Sequence, residues 1–195
     1  MKIAIVKYNA GNIRSVIYAL ERLGIEPILT DDHEELQKAD KVIFPGVGEA
    51  NSAMSSLRSK GLDVLIPQLK QPVFGICIGQ QLLCRYSEEN DTPCLGVFDL
   101  DVKLFPKEGQ KVPQIGWNNI LGLKSPLFKG IDHNSYVYFV HSYYTELSSV
   151  TIAQTHYGVP FSAGLHQNNF YAVQFHPEKS GEIGAKILQN FVEMR

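Results

Sequence analysis

The hydrophobic pattern of the chain changes character at its middle. Before residue 77, short apolar runs alternate with stretches in which apolar residues recur every three or four positions. Ile3–Val6 is the first run. After a turn at Asn9–Asn12, Ile13, Val16, Ile17, Leu20 and Leu23 follow at helical spacing, and Gly24 stops the helix. Pro27–Thr30 reads as the next strand, and Asp31 or Asp32 as the cap of a short helix through Lys38. Lys41–Phe44 is a third strand, broken by Pro45–Gly48, and a helix is expected from Ala50 to Lys60. Val73–Ile76 is a fourth apolar run, with a helix-like stretch after Cys77. Such alternation predicts parallel strands with helices on both faces.

Beyond residue 95 the pattern is mostly strand. Gly96–Phe105, Asn119–Leu123, Tyr136–Val140, Val150–His156, Ser162–His166 and Phe170–Phe175 are strand-like runs between turn residues, and Asn168-Asn169 signals a hairpin. Gly181–Arg195 closes the chain as a helix. The expected architecture is an open, mostly parallel, doubly wound α/β sheet, extended by antiparallel strands in the second half. No linker, repeat or charge run divides the chain, so residues 1–195 read as one domain.

One stretch carries chemistry. In Gly75-Ile76-Cys77-Ile78-Gly79 a cysteine stands between two glycines, at the junction of an apolar run and a helix start. That spacing suits a nucleophile elbow, a tight strand-to-helix turn that pushes one side chain out of the sheet. The glycines let backbones pass closely. The helix N-terminus beyond the sulfur favours its thiolate form. Alone, the pattern is equally a tight buried turn around a core cysteine. A nucleophile also needs a base, and His176 ends an apolar strand in Val-Gln-Phe-His-Pro-Glu-Lys-Ser-Gly. Glu178, two residues on, can turn back to the imidazole and hold its tautomer. Oxyanion donors are expected from the backbone N–H groups of Ile78 and of Val47, which lies between Gly46 and Gly48. Cys84 reads as a packed thiol on the helix after Cys77, Cys94 as a surface-loop thiol, and His141 as structural or as lining the site.

Composition narrows the classes. The chain has 195 residues, 44% of them hydrophobic, and a formal net charge of -2. With no basic cluster, nucleic acid is not the expected partner. No apolar run approaches the roughly 20 residues of a membrane span, and the N-terminus does not read as a signal peptide. Three cysteines without framework spacing suggest reduced thiols and a cytoplasmic setting. Neither a CxxC pair nor HExxH occurs, so no metal site and no cofactor is expected.

The segments GICIGQQLL around Cys77 and QFHPEKSG around His176 and Glu178 resemble the class I glutamine amidotransferases, over essentially the whole chain. The resemblance implies that Cys77 attacks the side-chain amide of glutamine, with His176 as acid/base and Glu178 as its orienter. It implies that Gln81, Ser142 and Tyr143 help to hold the substrate, together with Gly46 and Gly48. Finer marks are NAGNIRSV, PGVGEA, PQIGWNNI and HPEKSG. They are similar to the branch of that class that passes ammonia to a (βα)8-barrel cyclase subunit in histidine biosynthesis. By the same resemblance Asn12, Trp117, Asn118 and Lys179 fall in loops facing that partner, in a heterodimer. The usual residue before Gly-Trp-Asn is methionine. Ile115 here is a departure expected to touch packing more than chemistry. A physical reason agrees with a partner, because the chain carries no GxxxxGK[ST] phosphate loop to hold an acceptor substrate. Ammonia released to neutral water is protonated and lost as a nucleophile, which a sheltered path avoids. Other readings stay open at this point: a stand-alone cysteine hydrolase of similar fold, the amidotransferase subunit of an anthranilate-type synthase, and a non-catalytic binding subunit.

Overall fold

The computed structural model describes residues 1–9, 11 and 13–194. The first half runs β1 (Ile3–Val6), α1 (Ile13–Glu21), β2 (Ile28–Thr30), α2 (His33–Lys38), β3 (Lys41–Gly46), α3 (Ala50–Ser59), α4 (Leu62–Leu65), β4 (Val73–Cys77) and α5 (Ile78–Leu83). The second half runs β5 (Cys84–Ser87), β6 (Thr92–Pro93), β7 (Phe98–Leu104), β8 (Gln114–Ile120), β9 (Ser135–His141), β10 (Tyr143–Thr145), β11 (Thr151–Tyr157), β12 (Val159–Gln167), β13 (Phe170–Val173) and α6 (Gly181–Glu193).

A seven-stranded sheet in the order β11-β12-β13-β4-β3-β1-β2 forms the centre. β2, β1, β3, β4 and β13 are parallel, and β12 and β11 add to them antiparallel. The early strands are continuous apolar runs whose successive side chains point to opposite faces, so both faces are covered. Ile3, Ile5, Ile43 and Phe74 pack into one core with α1 and α6, whereas Ala4, Val6, Val42 and Val73 pack into another with α2, α3, α4 and α5. Asp32 caps α2 by accepting from the Glu35 N–H at 2.9 Å. Asn168, at φ +55°, turns β12 back into β13 in the expected two-residue hairpin. No helix among the described residues is long and apolar enough to cross a membrane.

The sequence pattern misplaced several elements. β3 does not break at Pro45 but runs to Gly46, with Pro45 opposite Ile76 and Gly46 opposite Cys77. β1 accompanies β3 only as far as Ile43, so Pro45 lies where the strand has a neighbour on one side, and its missing N–H costs no ladder bond. The helix after Cys77 stops at Leu83, and Cys84 opens strand β5. Only three of the later strands extend the central sheet. β10, β7, β5 and β6 form a second, four-stranded sheet, and β8 and β9 a separate ribbon. The strand expected at Asn119–Leu123 is β8, centred on Gly116 and Trp117. α4, β5, β6 and β10 went unrecognised because each is four residues or fewer, too short to show a period.

Candidate active site

Strand ends decide where the chemistry lies. β3, β4 and β13 are parallel neighbours, and their carboxyl ends deliver Gly46, Cys77 and the run toward His176 to one edge of the sheet. Open α/β sheets place ligands at that edge.

Cys77 takes φ +55° and ψ -109°, a conformation that L-residues rarely adopt, as β4 turns into α5. Holding it there costs about 1–3 kcal/mol. Burial of Leu82 and Leu83, each fully enclosed, contributes about 1.5–3 kcal/mol apiece and offsets the strain. Both flanking glycines are demanded by space. A Cβ on Gly79 would lie 1.9 Å from the Phe44 carbonyl oxygen, and one on Gly75 would lie 3.0 Å from the Gly79 backbone. The elbow expected from GICIG is therefore present, with the positive φ on the cysteine itself.

The loop after β3 is built differently. A Cβ on Gly46 would lie 2.0 Å from Ile78 Cγ2 and 2.3 Å from the Tyr8 hydroxyl. Gly48 instead holds φ +111° with nothing within 4 Å of its missing Cβ. So of the two glycines beside Val47, one serves packing and one serves backbone freedom. Tyr8 pins the start of this loop by donating to the Pro45 carbonyl at 2.7 Å. Burial, and then the charge of Cys77, push the Tyr8 pKa well up, so the phenol stays protonated and keeps donating.

His176 is buried, and its Nδ1 lies 2.8 Å from Glu178 Oε1, whose side chain is equally buried. Nδ1 therefore carries the proton toward the carboxylate. Nε2 is enclosed without an aligned hydrogen bond among the described residues. Resting catalytic pairs are often loose in this way. Burial opposes charge on the ring. The negative sulfur of Cys77, and after it Glu178, outweigh burial and lift the His176 pKa to about 10. Local sequence accounts for the ring's position. Pro177 opens a single 3-10 turn, and Ser180 donates to the His176 carbonyl at 2.6 Å while accepting from the Tyr138 N–H. Gly184 is needed where α6 passes the Pro177 carbonyl, 1.9 Å from a would-be Cβ.

In front of the sulfur lies a cavity of about 250 Å³, walled by Val47, Gly48, Gln81, Glu89, His141 and Tyr143 among others. Its size is at the small end of ligand pockets. His141 is buried, and burial lowers its pKa to about 4, so the ring is neutral. Its Nδ1 lies 2.7 Å from the Tyr143 carbonyl oxygen and its Nε2 3.1 Å from Gln114 Oε1, two acceptors, of which the neutral ring donates to one. The Tyr143 carbonyl accepts from Gln81 Nε2 at 3.1 Å. Among the described residues no cluster of His, Cys, Asp or Glu side chains could hold a metal ion.

The sequence model of the family described as glutamine amidotransferase class-I matches residues 4–194. The chain belongs to that family. A Bacteroides fragilis protein named imidazole glycerol phosphate synthase subunit HisH is 60% identical over 196 residues, all of both chains. A Haemophilus influenzae protein of the same name is 45% identical, over 99% of this chain and 98% of that one. Among solved structures, one described as a glutamine amidotransferase superposes with a TM-score of 0.76 at 21% identity, covering 99% and 98% of the two chains. A Thermotoga maritima structure described as PurLQS gives 0.73 at 20% identity, covering 98% and 97%. At these identities the structures speak for the fold alone.

Within this amidotransferase fold, Cys77, Ile78, Val47, Gly48, Gln81, Ser142 and Tyr143 all meet at the cavity. Gly46, His176 and Glu178 line a separate, smaller hollow, which Val47 shares with the cavity. Trp117 is on the surface, 56% exposed, edge-on to Tyr138 across the β8–β9 ribbon. Ile115 is also exposed, at 63%, so the departure from methionine concerns the surface and not internal packing. Asn118 is half-buried and spends its amide on the His156 carbonyl at 3.0 Å, which ties the ribbon to β11. Lys179 is exposed beside Glu178. Asn12 lies outside the described residues. Cys94 is half-buried, not a loop-surface thiol, and burial lifts its pKa and that of Cys84 to about 12. Sequence reasoning missed Tyr8, Glu89, Gln114, Gln174 and Ser180. Of these, Gln114 lay inside the recognised PQIGWNNI, and Gln174 and Ser180 inside QFHPEKSG, whereas Tyr8 and Glu89 carried no such signal.

Proposed function

We propose that this chain, with residues 1–195 as one amidotransferase domain, is the glutaminase subunit of an imidazole glycerol phosphate synthase. In this reading it takes ammonia from glutamine through Cys77 and passes it to a cyclase subunit in histidine biosynthesis. The observation that carries the chemistry is the buried His176–Glu178 pair, 2.8 Å apart, acting on a strained cysteine at the floor of a cavity. The Cys77 sulfur attacks the carboxamide carbon. His176 gives its proton to the departing nitrogen, ammonia leaves, and a glutamyl thioester remains. His176 then takes a proton from water, which attacks the thioester and frees glutamate and the sulfur. Glu178 holds the imidazole with Nδ1–H toward itself and stabilises its charge throughout. The N–H groups of Ile78 and Val47 receive the developing oxyanion, each such donor being worth about 10²–10³ in rate. Gly48, Gln81, Ser142 and Tyr143 line the substrate's path, and the half-buried carboxylate of Glu89 suits its ammonium group.

The relatives' shared name supports the synthase assignment. The partner is a (βα)8-barrel cyclase, seated on the ribbon that exposes Ile115 and Trp117 and continues through Val140 into the cavity. The stand-alone hydrolase reading gives the opposite dependence on partner. The test is glutamine hydrolysis by the chain with and without the cyclase and its nucleotide. The parent should need the complex. Cys77→Ala should lose at least about 10³-fold in glutaminase rate, while the complex still makes product from added ammonia. Retained glutaminase activity in Cys77→Ala, or full activity of the parent alone, overturns the reading.

A further inference from the structure

Gln174 has no part in the steps above, yet it touches the reacting sulfur. It is fully buried and stands beside Cys77, one residue beyond the Val173–Ile76 pair. Its Oε1 accepts from Gln81 Nε2 at 3.0 Å, and its Nε2 lies 3.9 Å from Cys77 Sγ with donor geometry. A carboxamide has a donor end and an acceptor end, and here neighbours decide which faces where. The Tyr143 carbonyl can only accept, so the Gln81 NH2 must face it, and the same NH2 supplies Gln174. Turning Gln174 over would set two NH2 groups against each other and an oxygen against the sulfur.

We infer that Gln174 is a positioning residue for Cys77: it donates an N–H···S hydrogen bond that holds the sulfur at the elbow, and Gln81 fixes the direction of that donor. The inference rests on Cys77 being the nucleophile, as proposed above. A donor to the sulfur favours its charged, attacking form. Among the described residues the thiol also donates to the Val140 carbonyl at 3.9 Å, and the His176 side chain reaches the sulfur. Titratable groups acting at the sulfur are His176, backed by Glu178, and Tyr8, while His141, Tyr143 and Glu89 stand around the cavity.

The rate of Cys77 alkylation by iodoacetamide against pH, followed on the Cys77 peptide so that Cys84 and Cys94 do not count, reads the sulfur directly. Gln174→Met keeps volume and removes the donor. The midpoint should move up by about one pH unit, and kcat for glutamine in the cyclase complex should fall more than KM rises. Gln81→Leu leaves Gln174 in place but frees its orientation, and should move the midpoint the same way by less. A residue that merely fills space would leave the midpoint alone. A folded Gln174→Met protein with the parent's midpoint overturns the inference. If that variant does not fold, an unmoved midpoint in Gln81→Leu overturns it. The alkylation curve is measured without glutamine, so failure of the glutaminase reading would appear separately, as a parent complex that does not hydrolyse glutamine.

Discussion

Two glycine-flanked segments face each other across the site, and they are built on opposite plans. In Gly75–Gly79 both glycines exist because backbone and side chains crowd them, and the unusual dihedral falls on Cys77. In Gly46–Val47–Gly48 one glycine is crowded and the other is not. Gly46 is wedged against Ile78 and Tyr8, whereas Gly48 carries φ +111° in open space. The elbow is locked on both sides, and the loop is locked on one side and hinged on the other. Under the proposed reaction, a hinge there suits a peptide that rotates to offer an N–H, and a lock suits a nucleophile held in place. The difference teaches that a glycine in a motif marks either a close approach or a free dihedral, and that these have opposite mechanical meaning.

The comparison can be broken most severely at Gly79. Gly79→Ala sets a Cβ against the backbone oxygen of Phe44, which cannot swing away. A loss of roughly 3 kcal/mol or more is expected, read as a fall in the urea midpoint. A near-neutral result would mean that the elbow is not locked. Gly46→Ala meets Ile78 Cγ2 and the Tyr8 hydroxyl, both on side chains that can give. It should cost about 2 kcal/mol, and Tyr8→Phe in the same chain should recover part of that.

The elbow's electrostatics offer a finer test. The raised His176 pKa contributes stability that is complete below 6.5 and is lost as pH rises toward about 10. In Cys77→Ala the leading favourable charge is gone and burial dominates, so the imidazole should titrate well below the parent's value by NMR. The alkaline loss of stability should shrink with it. An unchanged His176 titration would show that the sulfur does not act on the ring. The smallest change is expected at the hinge. Gly48→Ala strains only the backbone and should cost about 1 kcal/mol. It should blunt the increase in kcat on nucleotide binding to the complex, while iodoacetamide reactivity of Cys77 stays at the parent's level. A variant stimulated as strongly as the parent would move the hinge elsewhere.

Local chemistry was legible wherever neighbours in sequence are also neighbours in space. The apolar run Ile3–Val6, the cap at Asp32, the Asn168–Asn169 turn, the elbow around Cys77 and the pairing of His176 with Glu178 are of that kind. All were readable because backbone sterics, caps and two-residue reach operate within a few positions. Tertiary structure alone decided what depends on distant partners. It split the later strands among three sheets, carried β3 through Pro45, and put Trp117 and Ile115 on the surface but turned Asn118 inward. It also brought Tyr8, Glu89, Gln114 and Gln174 to the site from four separate stretches of chain. A polar side chain acquires its role from the acceptor or donor it meets when buried, and no local pattern names that partner in advance.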